Sequence, residues 1–353
     1  GDDIYPVMLQ ALEQAKRFIF IEYFIIDRGV LWDSFVEILR RKAAAGVDVR
    51  VLYDDLGSIS TYNGGDTWRL QQQGIRCAAF NPFLFLKGTL NCRDHRKMMI
   101  VDGEVAFTGG INLADEYINE KRRFGYWRDT GVRLEGPAAW SFTTMFLEFW
   151  AANRPQSDER AVPRPEMPAR EGSGLVQPFC DTPVDDECVA KNVYLELINQ
   201  AQKELFITTP YLILENDLIS ALCLAAKRGV DVRIYTPGIP DKPTIFQLTR
   251  SYFPVLIRAG VKIFSFVPGF LHSKTWLCDG RVAAVGSINL DYRSLYLHFE
   301  CSALLYGCPA LRDIREDMLD LESQCRLVRL SDCRTSGLGM LASAVLRLVA
   351  PLC

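Results

Sequence analysis

Continuous apolar runs, each set just behind an amphipathic stretch, dominate the chain. Phe18 to Ile26 is apolar at every position except Glu22. Such a run is too unbroken for a strand with one wet face, so it predicts a strand buried on both faces. The residues before it, Val7 to Arg17, carry apolar positions at helical spacing. The same pair returns in the second half of the chain as a helix over Val193 to Lys203 and a strand over Glu204 to Leu214.

Two further blocks repeat in the same order. Gly46-Val47-Asp48-Val49-Arg50 recurs as Gly229-Val230-Asp231-Val232-Arg233, each time after an Ala-rich helical stretch and before an apolar strand. Gly74-Ile75-Arg76, leading to Pro82, matches Gly260-Val261-Lys262, leading to Pro268. Three blocks in one order indicate an internal duplication, and each copy reads helix, strand, helix, strand, helix, strand, the order of an α/β fold. Between the copies, 153–178 holds Pro155, Pro163, Pro165, Pro168 and Pro178 among charged and small residues, the composition of a linker. The expected division is a first half over 1–152 and a second over 179–353. The second ends on an apolar stretch, Gly337 to Cys353, which suits either a core helix or an interfacial one.

Each half then carries the same chemistry-bearing motif. His95-x-Lys97 with Asp102 and His272-x-Lys274 with Asp279 are both H-x-K-x-x-x-x-D. They are followed by Gly109-Gly110-Ile111-Asn112 and Gly286-Ser287-Ile288-Asn289. On a strand, positions i and i+2 share a face, so each histidine stands beside its lysine. Histidine can attack phosphorus or move a proton near neutral pH, lysine offers a fixed cation to phosphoryl oxygens, and the asparagine amide adds a neutral donor. Gly110 and Ser287, being small, would let the backbone approach a phosphate closely. A lone H-x-K is more often a surface strand; its duplication at matched positions points to phosphodiester chemistry.

Composition narrows the partners. Of 353 residues, 49% are hydrophobic and 24% charged, and the net charge of −3 gives no long-range pull toward DNA or an anionic membrane. Arg93, Arg96, Lys121, Arg122 and Arg123 make a modest basic cluster, the kind that is solvated or faces lipid headgroups, and no stacking groove for a nucleic acid is evident. The 11 cysteines never occur as C-x-x-C, which suggests free thiols in a reducing compartment. With three histidines and no Cys/His cluster at zinc spacing, neither a metal nor another cofactor is expected.

These paired motifs resemble the signature of the phospholipase D superfamily. More closely, the stretches Asn91 to Tyr117, Trp127-Arg128-Asp129-Thr130, Pro210-Tyr211, Arg250-Ser251-Tyr252 and Pro268 to His272 resemble the bacterial cardiolipin synthase family. The resemblance implies two pseudo-symmetric α/β sandwich halves with one active site at their interface and a covalent phosphohistidine intermediate. By that analogy His95 attacks, His272 is acid and base, Lys97, Lys274, Asn112 and Asn289 hold the phosphate, and Asp129 and Glu300 orient the histidines. Asp102 and Asp279 would hold local structure. The implied reaction joins two phosphatidylglycerol molecules into cardiolipin and glycerol at a membrane surface. The family also implies membrane spans ahead of Gly1 and a cytoplasmic face for the catalytic portion. A hydrolase or a transferase for another headgroup remains open, a nuclease less so.

Two features depart from the family pattern. Asn91 to Asp94 and Tyr292 are unusual and are expected at the pocket rim. The first half also carries extra residues before its motif, including Phe83-Leu84-Phe85-Leu86-Lys87, read either as added core strand or as a lip in which Phe83 and Phe85 meet acyl chains. His298 matches neither motif and reads as structural or surface.

Overall fold

The protein is described here by a computed structural model in which residues 1–82, 90–154, 162–166, 174–333, 345–348 and 350–352 are placed. The Phe83 to Lys87 lip and most of the apolar C-terminal stretch lie outside the described residues. No helix among the described residues is long and apolar enough to cross a membrane.

The first half runs α1 (Ile4–Gln14), β1 (Phe18–Tyr23), α2 (Val30–Ala44), β2 (Asp48–Asp54), α3 (Asp55–Ser58), α4 (Gly64–Gln72) and β3 (Arg76–Phe80). It continues with β4 (Arg93–Asp94), β5 (Lys97–Val101), β6 (Val105–Gly109), β7 (Tyr126–Arg128), β8 (Gly131–Glu135) and α5 (Pro137–Asn153). The second half opens with β9 (Leu175–Asp181), α6 (Val189–Gln200), β10 (Glu204–Thr208), α7 (Asn216–Lys227), β11 (Asp231–Pro237), α8 (Pro243–Ala259) and β12 (Lys262–Phe266). It closes with β13 (Gly269–Leu271), β14 (Thr275–Cys278), β15 (Val282–Gly286), β16 (His298–Tyr306), α9 (Ala310–Ser323) and β17 (Cys325–Leu327). Strand order is β3-β2-β1-β5-β6-β8 in one sheet and β17-β12-β11-β10-β14-β15-β16-β4 in the other. The shared order β3-β2-β1-β5-β6 and β12-β11-β10-β14-β15 is the duplication in three dimensions.

Side-chain alternation explains why the first apolar run has no polar face. Ile19, Ile21 and Tyr23 point into a cluster roofed by α1 and α2, whereas Phe18 and Phe20 point the other way. That second cluster also takes Phe206, Leu277 and Val285 from the other sheet and Phe146 and Met318 from α5 and α9, so one core is shared by both halves. The repeated pentapeptide serves this core. Arg50 pairs with Asp48 at 2.9 Å and lies 4.9 Å from the Phe20 ring; Arg233 pairs with Asp231 at 2.6 Å and lies 4.6 Å from Phe206. Each guanidinium, fully buried at Arg50 and half-buried at Arg233, thereby has both a carboxylate and an aromatic face.

Three readings of the sequence need correction. The stretch taken as linker gives its last residues to β9, which pairs antiparallel with β16 from Leu175↔Tyr306 to Asp181↔Glu300; Pro178 is tolerated because, among the described residues, β9 has β16 as its only strand neighbour and so lies at a sheet edge. Arg93 and Arg96 are not headgroup-facing but buried. Arg93 grips Asp54 through Nε and Nη2 at 2.9 and 2.8 Å, and Arg96 meets Glu22 at 2.6 Å, with Phe149 3.8 Å from its guanidinium. Of Asn91 to Asp94, Arg93 and Asp94 are buried and not at a rim: they pair with the start of β16 at the junction between the halves, where the Cys92 N–H donates to Leu297 O at 2.8 Å, while Asn91 is exposed. Both partners of each ion pair are buried, so removing one would leave an uncompensated charge in the core.

Candidate active site

Each signature motif is a β-hairpin. Asp102 and Gly103 have φ of 55° and 70°, and Asp279 and Gly280 have φ of 51° and 64°, a left-handed pair that turns the chain between the paired residues Val101 and Val105 and between Cys278 and Val282. The motif aspartates have a second duty. Asp102 accepts the backbone N–H groups of Lys16, Arg17 and Phe18 at 2.8, 2.7 and 2.8 Å, and Asp279 those of Gln202, Lys203 and Glu204 at 2.9, 2.7 and 2.9 Å. They tie the hairpins β5–β6 and β14–β15 to the starts of β1 and β10 and face away from the histidines.

The histidines meet across the halves. β4, just before His95, pairs in parallel with the start of β16, and β13, just before His272, pairs in parallel with β7. The His95 N–H donates to Phe299 O at 2.9 Å, and the His272 N–H to Arg128 O at 2.8 Å. The next residue of each partner strand is a carboxylate. His95 Nδ1 therefore lies 2.8 Å from Glu300 Oε1, and His272 Nδ1 2.7 Å from Asp129 Oδ2, with both carboxylate side chains fully buried. Each ring is fixed by a carboxylate of the opposite half, which leaves Nε2 of both free of the orienting bond.

The residues after each hairpin support these carboxylates. A Cβ on Gly110 would stand 2.2 Å from Asp129 Oδ1, so only glycine leaves room for that side chain. Ser287, its counterpart, donates its hydroxyl to Glu300 Oε2. The backbone N–H groups of Gly110 and Ser287 are already donated to Thr130 O and Cys301 O at 3.1 and 2.9 Å. The expectation that these two offer backbone to a phosphate is thus replaced: they position the carboxylates. Lys97 Nζ donates to His95 O at 2.5 Å, and Lys274 Nζ to His272 O. Asn112 receives the Ile25 N–H at 3.1 Å and donates to Tyr117 Oη at 2.6 Å; Asn289 is buried, with Oδ1 lacking a partner among the described residues.

Among known proteins, residues 8–126 and 194–321 match the family described as "Cardiolipin synthase, PLD-like domain". The chain belongs to this family. It is 39% identical to cardiolipin synthase 2 of Bacillus anthracis over 91% of its own length and 63% of that protein, so it spans somewhat less than two thirds of that relative. An uncharacterized protein of Streptococcus mutans serotype c is 45% identical over the whole chain and 77% of its own length. The phosphatidylserine synthase of Haemophilus influenzae Rd KW20 superposes with a TM-score of 0.75, covering 99% of this chain and 91% of that one at 15% identity, a likeness of fold.

The electrostatics of this cardiolipin synthase-family site are not symmetric. Burial, reinforced by Lys97 and by Lys274, holds His95 well below the usual imidazole range. Burial, with Lys274, lowers His272 to about 4. Burial lowers Lys97 to about 8 and Lys274 to about 7. The carboxylates diverge. Burial raises Glu300 well above the normal range, whereas for Asp129 the charges of His272 and Lys274 outweigh burial and hold it below its ordinary value.

Three neighbours escaped the sequence reading. Tyr117 lies 5.3 Å from the His272 ring, Phe24 lies 4.9 Å from His95, and His298 lies 5.6 Å from His95. Aromatic residues in a 49% hydrophobic chain give no pattern that distinguishes site from core. His298 had a signal that was passed over: it stands two residues before Glu300, on the same face of its strand. His95, His298 and Glu300 bring ligand-capable atoms within 4.8 Å of one another. His95 Nδ1 and Glu300 Oε1 already meet at 2.8 Å, and His298 Nε2 accepts from Arg293 Nε at 3.3 Å, so these atoms are engaged in hydrogen bonds.

Proposed function

We propose that the protein is a phosphatidyltransferase that makes cardiolipin from two molecules of phosphatidylglycerol. The observation that carries this reading is the crossed pair of histidine–carboxylate bonds, which gives one site a nucleophile and a proton carrier at once. His95 Nε2 attacks phosphorus, the bond from phosphorus to the headgroup glycerol breaks, and the departing oxygen takes a proton from His272 Nε2. The hydroxyl of a second phosphatidylglycerol then gives its proton to His272 and attacks phosphorus; the phosphorus–nitrogen bond breaks and cardiolipin leaves. Lys97, Lys274 and the amide donors of Asn112 and Asn289 hold the non-bridging oxygens and the charge that grows on them.

The divergent carboxylates support this order. A proton carrier needs a partner that stays anionic, as Asp129 does, whereas a nucleophile must remain neutral, which suits His95, held well below the usual imidazole range with its Nδ1–H on Glu300 so that Nε2 carries the lone pair. Ten free cysteines among the described residues suit a catalytic portion on the cytoplasmic face of a membrane. The burial of Arg93 and Arg96 removes two cations from the groove a nuclease would need.

Incubation with phosphatidylglycerol in liposomes, followed by mass spectrometry, tests the reading. Cardiolipin with free glycerol is the expected outcome; phosphatidic acid alone would make the protein a hydrolase.

A pH profile tests the phosphate clamp. Both lysines must be protonated to hold an anion, and kcat/KM reports the free enzyme. Because the acid His272 is lowered to about 4, kcat/KM is expected to fall across neutral pH, more steeply above about 7 with Lys274 and again past about 8 with Lys97. Because a bound phosphodiester favours the charged lysines, the alkaline fall of kcat should lie at higher pH. A kcat/KM flat to pH of about 9 would remove the lysines from the clamp.

A further inference from the structure

The hairpins align more than the motifs. Gly109 pairs with Gly131 across β6 and β8, and Gly286 with Ser302 across β15 and β16. Counting back from those equivalent partners, Asp129 matches Glu300, and Trp127 matches His298. The structure therefore gives the third histidine a counterpart that its sequence context did not reveal. Both lie beside the histidine of the other motif, with ring centroids 5.3 Å apart for Trp127 and His272 and 5.6 Å apart for His298 and His95. Both also bury a ring nitrogen, Trp127 Nε1 and His298 Nδ1, that has no hydrogen-bond partner among the described residues.

The tautomer of His298 follows from its other nitrogen. Nε2 accepts from Arg293 Nε at 3.3 Å, so the neutral ring carries its proton on Nδ1. Burial keeps the ring neutral, aided by the charges of Arg293, Lys97, Arg93 and Lys242. A buried donor 9% exposed, on the strand face that presents Glu300 to His95, is thus left without an acceptor among the described residues.

Resting on the phosphatidyltransferase reading, we propose that His298 is a headgroup-recognising residue: its Nδ1–H donates to a hydroxyl of the polyol carried by the phospholipid that His95 attacks. A neutral donor suits an uncharged hydroxyl, while the two lysines take the phosphate. A site built around a hydroxyl rejects substrates that lack one, because the donor is then left unpaired.

The test compares the release of glycerol from phosphatidylglycerol with that of methanol from phosphatidylmethanol, which has no headgroup hydroxyl, in single turnovers across a range of lipid concentrations. In the His298→Leu variant the apparent second-order rate constant for glycerol release should fall about ten- to a hundredfold, while methanol release stays within about twofold. His298→Asn, which places an amide N–H close to the position of Nδ1, should recover most of the loss and guards against a variant that misfolds. Equal losses on both lipids, or no loss on either, would overturn the assignment. The wild-type arm is separate: failure to release glycerol at all would overturn the phosphatidyltransferase reading itself.

Discussion

Alanine at His95 or at His272 is expected to lower cardiolipin formation by at least about 10⁴-fold, and the double variant should be scarcely worse than either single one. The reason is that the two rings serve successive steps of one reaction. Without His95 no nitrogen attacks phosphorus, and without His272 the glycerol oxygen must leave as an alkoxide from a buried site. The variants should nevertheless differ in one respect. His95→Ala should bind phosphatidylglycerol without covalent change, whereas His272→Ala keeps the nucleophile and should accumulate the phosphatidyl adduct slowly. Product assays at high enzyme concentration check the losses, and near-additive effects of the two substitutions would argue for two independent sites.

The carboxylates should not be equal. Asp129→Asn is expected to cost about 10³ to 10⁴-fold in kcat, because the anion that balances a protonated His272 is lost and the imidazole tautomer is left without its acceptor. Glu300→Gln should cost only about 10 to 10²-fold, since burial already pushes Glu300 toward its neutral form and the glutamine carbonyl can still accept from His95 Nδ1. Steady-state kcat for the two variants settles the point. The reverse ranking would exchange the roles of the histidines, and equal losses would mean that both carboxylates act only as struts.

How far the sequence carried these conclusions depends on the kind of signal. The duplication was readable because in each half the pentapeptide opens on a glycine with φ of 89° or 95°, buries both valines and pairs its aspartate with its arginine. The motif histidines and lysines were readable because strand alternation puts them on one face. The crossed pairing was not. Asp129 and Glu300 are far from their partners in sequence, and nothing local says that β4 joins the sheet of the second half or that β13 joins β7. The burial of Arg93 and Arg96 was invisible for a similar reason: their partners Asp54 and Glu22 lie on strands of the first sheet, and a charged residue next to a motif looks the same whether it faces solvent or a carboxylate. Gly110 was read as room for a ligand when it is room for Asp129. A missing Cβ declares that something comes close without saying what.

One measurement bears on the whole account most directly. Wild-type protein mixed with phosphatidylglycerol, quenched in alkali within the first turnovers and digested for peptide mass spectrometry, should carry a phosphatidyl-derived phosphate on the peptide containing His95 and none on the peptide containing His272. Label on the His272 peptide alone would reverse the assignment, and cardiolipin formed at full rate with no label on either peptide would contradict a covalent transfer through a shared site.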